Sequence, residues 1–493
     1  MQSASMYIEK SFRLGTVDGR LYSSFIEHLG RAVYTGIYEP GHPEADEQGF
    51  RRDVLKLVRE LGVDLVRYPG GNFLSGYRWT DGIGPPEERP RRLDLAWRTI
   101  ESNRVGIDEF ADWAKKAGVG VMGAVNMGTG TPQEAGDLLE YCNFPSGTAW
   151  SDLRIRNGHR DPHNIKVWCV GNEMDGPWQI CHLNASDYGK KALETMKIMK
   201  WVDPSIELVV CGSATSKMPT YPEWDRIVLE HTYEAADYLS LHRYYENEGS
   251  DLDFLASFVD MDNFIHSVCA AADYVKALKR SKKTMMLSFD EWNVWYQKQL
   301  RLRDWEEAPP ILEDRYSLLD ALVFGGLGIT LINNSDRVRI ACLAQLVNVI
   351  APIFTEKNGR AIRQTIYHPF RLLSRYGRGE ALKPVVICPE TETSHGGAPL
   401  LNACALYREE AGELCVFALN IADEELRLSL NGRSFGALAM EEHIALYGGD
   451  MNAVNTFDHP DAVQPRSLPV QAPADILELV LPARSWHVMR FKV

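Results

Sequence analysis

From about residue 20 to 370, short apolar runs alternate with longer amphipathic stretches, and this alternation limits the fold more than any other feature of the chain. Eight runs are expected to form strands: 24–27, 64–68, 120–126, 166–171, 207–211, 238–241, 285–289 and 328–332. Between them the apolar residues keep helical spacing. Phe50, Val54, Leu57, Val58 and Leu61 fall on one face of a helix, and so do Phe264, Val268, Ala271, Val275 and Leu278. Strand and helix alternating eight times predict an α/β protein of the (β/α)8, or TIM, barrel type. A doubly wound open sheet is the alternative that periodicity leaves open.

The texture changes after about residue 375. Short runs at 400–406, 413–420, 426–430, 476–481 and 487–493 are separated by Gly, Pro, Asn and Asp, without a long helix. This predicts a C-terminal β-sandwich, jelly-roll-like, with a boundary near 374–383. The expected organisation is a catalytic barrel over 15–374 and a sandwich over 375–493, which the strand-like segment at 1–14 joins. The chain has 53 basic and 67 acidic residues, a net charge of −14. That excess disfavours a nucleic-acid binder or an anionic-membrane binder, both of which need a basic face. Nine cysteines without a C-x-x-C pair predict reduced thiols and a cytoplasmic protein. The N-terminus has no apolar stretch after a basic start, so no secretory leader is expected. No run of about 18 apolar residues predicts a membrane-spanning helix.

A (β/α)8 barrel works at the C-terminal ends of its strands. The residues that follow the expected strands are Glu27-His28, Arg67-Tyr68-Pro69-Gly70-Gly71-Asn72, Asn126, Gly171-Asn172-Glu173, His242-Arg243-Tyr244-Tyr245 and Asp290-Glu291-Trp292-Asn293. Carboxylates, amides, aromatic rings and an imidazole suit a polyhydroxylated ligand. Glu173 and Glu291 follow strands four and seven. Glycoside hydrolysis needs two carboxyl groups, one to protonate the leaving oxygen and one to act at the anomeric carbon or on water. Placed in one pocket, two such groups divide these roles through their mutual repulsion. No metal or cofactor is expected, since the reaction needs neither. His159 and His163 have the spacing of a metal-binding helix, but Pro162 between them argues against a helix.

Four segments carry a family resemblance: Phe25-Ile26-Glu27-His28-Leu29-Gly30-Arg31, Arg67-Tyr68-Pro69-Gly70-Gly71-Asn72-Phe73, Val170-Gly171-Asn172-Glu173-Met174-Asp175-Gly176-Pro177-Trp178, and Phe289-Asp290-Glu291-Trp292-Asn293-Val294-Trp295-Tyr296. In order and spacing they resemble the α-L-arabinofuranosidases of glycoside hydrolase family 51, over nearly the whole chain. The resemblance implies a retaining, exo-acting hydrolase that removes terminal non-reducing α-L-arabinofuranosyl groups from arabino- and arabinoxylo-oligosaccharides. It implies Glu173 as general acid/base and Glu291 as nucleophile. Glu27, Asn72, Asn172, Tyr244 and Gln345 match positions that bind furanose hydroxyls or order the nucleophile. His242 matches a residue near the catalytic pair, and Trp97 and Trp295 match the walls of the sugar pocket. A hexamer built as a trimer of dimers is also implied.

Each position has a plainer reading. Asn72 can close a tight turn that uses a positive φ at glycine, Glu27 can pair with a structural cation, and Gln345 can lie on a solvated helix after strand eight. His242, Tyr244, Trp97 and Trp295 can be core residues. Two positions depart from the family pattern: Cys181 stands where glycine is expected, and Arg243 where glutamine is expected. The nearest alternative function is an endo-glucanase or β-xylosidase of the same barrel clan. A barrel that binds sugar without reacting would lack one of the two glutamates.

Overall fold

The computed structural model describes residues 2–493. Eight parallel strands close into a barrel. They are β1 (Ser23–Phe25), β2 (Leu65–Tyr68), β3 (Gly120–Val125), β4 (Val167–Val170), β5 (Glu207–Val210), β6 (Tyr238–Tyr245), β7 (Met286–Val294) and β8 (Val338–Ala344). Each pairs with its neighbour in sequence, and β8 pairs with β1. Closure removes the doubly wound alternative. The two helical patterns form Arg52–Leu61, which ends on Gly62 at φ 76°, and Ser257–Lys279.

The eighth strand is not at 328–332. Those residues lie in the helix Leu318–Asn333, and the strand follows it at Val338–Ala344. The helix begins in a capping box, with Ser317 accepting from the Asp320 N–H and the Asp320 side chain reaching back. Every residue from Leu318 to Ile332 is buried. The barrel covers one side and a C-terminal sheet the other, so no polar stripe marks the helical period, and a short apolar window reads like a buried strand. Gly325 allows the sheet to approach, because a Cβ there would lie 2.5 Å from the indole of Trp486. Asn402 Nδ2 donates to the Gly326 carbonyl (3.2 Å) and Asn333 Nδ2 to the Ala403 carbonyl (3.0 Å), closing the seam with hydrogen bonds.

The C-terminal region holds a four-stranded and a seven-stranded sheet. N-terminal strands enter both: Gln2–Tyr7 pairs with Val385–Ile387 and Leu426–Asn431, and Arg13–Thr16 pairs with Glu380–Leu382. Strand Glu413–Asn420 is buried on both faces. Leu414, Val416 and Ala418 belong to the core between the sheets, whereas Cys415, Phe417 and Leu419 belong to the core shared with the barrel. All nine cysteines are unpaired. Among the described residues no helix is long and apolar enough to cross a membrane.

The sheet between the two cores carries a buried chain of neutral donors. Ser485 Oγ donates to the Pro482 carbonyl (2.5 Å), so it accepts from His487 Nε2 (2.7 Å), and His487 Nδ1 in turn accepts from His443 Nε2 (3.0 Å). Burial pushes His443 down to about 4 and His487 well below its ordinary value, where the His443 charge adds to the effect. Both folded pKa values lie below the unfolded one. Their contribution to stability is therefore full above about pH 6.5 and is lost as the pH falls toward 4. For His443 the loss is about 2 kcal/mol at pH 5. Thermal unfolding of wild type and His443→Gln between pH 7 and 4.5 should show the gap between them moving in the variant's favour as the pH falls. A constant gap would remove the histidine from the acid response.

Candidate active site

The C-terminal ends of the strands open into a cavity of about 1060 Å³. Three local features aim its side chains. First, the pairing of β7 slips against both neighbours: Ser240↔Ser288 is followed by His242↔Glu291, and Phe289↔Ala341 by Trp292↔Leu343. The extra residue on β7 is a bulge. A regular strand would send Asp290 and Glu291 to opposite faces; here both reach the inside of the barrel. Second, the chain turns sharply after β4 through Gly171 (φ 99°) and Glu173 (φ 44°). A glutamate in the left-handed region costs on the order of 1 kcal/mol and is held there by its contacts. Third, a Cβ at Gly71 would lie 2.8 Å from Glu27 Oε2. Gly71 has φ −72°, so glycine provides room for the carboxyl group and not the positive φ of the turn reading.

Around the pair, Arg67 from β2 donates to Glu291 Oε1 (2.6 Å) and to Asn172 Oδ1 (2.7 Å). Tyr244 Oη donates to Glu291 Oε2 (2.8 Å). His242 presents Nδ1 to Glu173 Oε1 (2.9 Å) and Nε2 to Asp290 Oδ1 (3.0 Å), and its Nδ1 lies 3.7 Å from Glu291 Oε2. Trp178 Nε1 donates to Glu173 Oε2 (2.7 Å). One carboxylate oxygen of Glu173 and one of Glu291 lie within 4.8 Å of each other. Burial alone would discharge His242, but Glu291, Asp290 and Glu173 outweigh it and raise the ring well above its ordinary value. Burial also opposes the charge on Asp290, yet Arg67 and His242 hold it below the usual carboxylate range.

After β1, Glu27 Oε1 accepts from Trp97 Nε1 (2.8 Å) and from the Phe73 N–H (2.9 Å). Burial, with added repulsion from Glu291 and Asp94, pushes Glu27 up to about 8 against these two donors. At neutral pH it can therefore donate as well as accept. Gln345 accepts from the Glu27 N–H (2.9 Å) and sits directly after β8, not on a helix. Tyr244 and Trp295 meet edge to face at 5.0 Å.

Of the ten candidate residues, Glu27, Asn72, Trp97, Glu173, Tyr244, Glu291, Trp295 and Gln345 line the cavity. Asn172 and His242 stand behind them, joined by the hydrogen bonds above; Asn172 also donates to Asn72 Oδ1 (3.4 Å). Arg67, Trp178 and Asp290 complete the cluster and were not singled out from sequence. They stand inside or beside the quoted motifs, but their partners lie on other strands. The cavity is wider than a pocket for one furanose and runs out to Ser394 and His395, on the turn joining strands Glu390–Thr393 and Gly396–Pro399. Arg243 lines it, but Asp260 holds its Nε at 2.7 Å and Tyr245 stacks beneath it. Cys181 adopts φ 56°, the backbone conformation that explains a glycine at this position.

Among the described residues two groups are compact enough to hold a cation: Glu173, His242 and Glu291, and Asp108, His159 and His163. In the first, both ring nitrogens of His242 already face carboxylates, so the set is internally paired. In the second, His163 Nε2 meets Asp108 Oδ1 at 2.6 Å, and no member lines the cavity.

The family model described as "Alpha-L-arabinofuranosidase 1 domain" matches residues 57–263, and "Alpha-L-arabinofuranosidase C-terminal domain" matches residues 290–485. The chain is 57% identical, over 92% of each chain, to a protein of Halalkalibacterium halodurans named intracellular exo-α-(1→5)-L-arabinofuranosidase. It is 52% identical to a Bacillus subtilis protein of the same description, over 100% of this chain and 99% of that one. A solved family 51 α-L-arabinofuranosidase from Bifidobacterium longum superposes with a TM-score of 0.95 at 44% identity, covering all of both chains. With paired glutamates at the mouth of a closed barrel and such identity along its whole length, this chain belongs to the α-L-arabinofuranosidases of glycoside hydrolase family 51.

Proposed function

We propose that the protein is an exo-acting α-L-arabinofuranosidase that works with retention on short arabino- and arabinoxylo-oligosaccharides. The approach of Glu173 and Glu291 to within 4.8 Å carries this reading. Retaining enzymes keep their carboxyl groups about 5–5.5 Å apart, whereas inverting ones need about 6.5–9.5 Å to admit a water. Glu291, oriented by Arg67 and Tyr244, attacks the anomeric carbon as Glu173 protonates the departing oxygen. Glu173 then takes a proton from the water that releases arabinose. Glu27, Asn72, Asn172, Tyr244 and Gln345 address the furanose hydroxyls or order the nucleophile, with Trp97 and Trp295 as walls and His242 steadying the pair. The names of the bacterial relatives favour 1,5-linked arabinan fragments and a cytoplasmic location. The hexameric assembly belongs to the same reading.

The test is hydrolysis of 4-nitrophenyl α-L-arabinofuranoside, followed by proton NMR from the first seconds. Retention predicts α-arabinofuranose as the first anomer, whereas an initial β-anomer would show inversion. A folded protein that leaves this substrate intact but cleaves an aryl β-xyloside would move the assignment to the xylosidase alternative. Identity over the full length to proteins named exo-arabinofuranosidases disfavours that alternative.

A further inference from the structure

Asp290 is a carboxylate that does not line the cavity, yet it lies beside the nucleophile in sequence and one ring away from Glu173 in space. It is 1% exposed. Oδ1 takes His242 Nε2 (3.0 Å), and Oδ2 accepts from Cys169 Sγ (3.4 Å) and lies 3.9 Å from Arg67 Nε. The bulge in β7 puts it there, since a regular pleat would point it out of the barrel.

The proton count follows from the geometry. His242 stands between two carboxylates, and a neutral imidazole has one N–H. With Nε2–H committed to Asp290, the contact with Glu173 needs a second proton. That proton resides either on Nδ1, donated to Glu173 Oε1, or on Glu173, donated to Nδ1. The overall charge is the same in both. In the proposed reaction Glu173 delivers this proton to the leaving oxygen as the glycosidic bond breaks and Glu291 bonds to the anomeric carbon. Deglycosylation returns it from water.

We propose that Asp290 is a positioning residue which, through His242, fixes the line of proton donation to Glu173 and sets the upper pH limit of the reaction. The inference rests on the assignment of Glu173 as the acid. An anion behind the ring makes the shared proton harder to remove, as the raised basicity of His242 reflects. The other charged and titratable groups around His242 are Glu173 and Asp175 after β4, Arg67 on β2, Tyr244 on β6 and Glu291 on β7. Arg67 pairs directly with Glu291 and lies beside Asp290, and Asp175 is held by the Ala214 N–H. Asp290 is the carboxylate that meets the ring from the side away from the cavity.

The experiment compares the pH dependence of kcat/KM in wild type, Asp290→Asn, His242→Gln and the double variant. The substrate is 1,5-linked arabinobiose, whose alkoxide leaving group needs the proton. The amide oxygen introduced by Asp290→Asn can still accept from Nε2–H, so the ring keeps its place while the charge is lost. Asp290→Asn should lower the basic limb by at least about one pH unit, a tenfold weaker hold on the proton, while kcat at the optimum falls by less than about tenfold. His242→Gln should lower the limb too, and the double variant should add less than half of the Asp290→Asn shift, because one residue acts through the other. Uniform loss of activity with an unmoved limb, or fully additive shifts, would overturn the proposal. If Asp290→Asn does not fold, an unmoved limb in folded His242→Gln overturns it equally. Failure of wild type on both arabinobiose and the aryl arabinofuranoside would instead strike the functional reading itself.

Discussion

Glu291→Ala is expected to hydrolyse 4-nitrophenyl α-L-arabinofuranoside at least about 10⁴-fold more slowly than wild type. The carboxylate is the bond-forming group in the proposed reaction, and no neighbour can substitute for it. Asp290 faces away from the cavity toward His242, and Glu27 is engaged by the Trp97 Nε1–H and the Phe73 N–H. Deletion also leaves the buried Arg67 Nη1 and Tyr244 Oη without their acceptor, so folding must be checked by thermal unfolding on the same sample. A folded variant within tenfold of wild type would end the assignment of Glu291 as nucleophile.

Glu173→Ala has a different signature, because its loss depends on the leaving group. Nitrophenolate departs without a proton, whereas the alkoxide of arabinobiose does not. Turnover of arabinobiose should fall by about 10²–10⁴-fold. The first step with the aryl glycoside should be affected far less. The second step still lacks its base, so the covalent intermediate should accumulate and nitrophenol should appear as a burst of one equivalent per active site. Equal losses on both substrates, without a burst, would remove Glu173 from the acid/base role. Trp178 and His242 lose their common hydrogen-bond partner in this variant, which makes the neighbouring loop the place to look for any structural change.

The sequence made the barrel legible through strands that are short, apolar and separated by amphipathic helices. Seven of the eight expected runs overlap strands of the barrel. The eighth failed because Leu318–Asn333 has no solvent side, and pattern reading depends on contrast between wet and dry faces. Gln345 was accordingly expected on a helix, although the true last strand ends at Ala344. Glu173 and Glu291, which meet in the cavity, were legible because each stands in a distinctive run at a strand end. Arg67 stood in plain view in such a run, but a guanidinium joining Glu291 to Asn172 is a fact of barrel closure that links strands far apart in sequence. Asp290 was hidden by its own pleat: alternation assigns it to the face opposite Glu291, and only the bulge reverses that. Arg243, which stands where glutamine is expected, brings its counter-charge with it, since Asp260 pairs with its guanidinium.

The helix Leu318–Asn333 also decides what kind of object the C-terminal sheets are. They are not cargo strung behind a finished enzyme. They form the outer wall of the last repeat of the barrel, since the helix preceding β8 has no other cover on that side. Stripping them away would bare a greasy rod next to the strand that delivers Gln345 to Glu27. Grafting this barrel onto another partner, or shortening the chain to a minimal catalyst, would therefore have to redesign the lining of that helix before any change at the mouth could be judged.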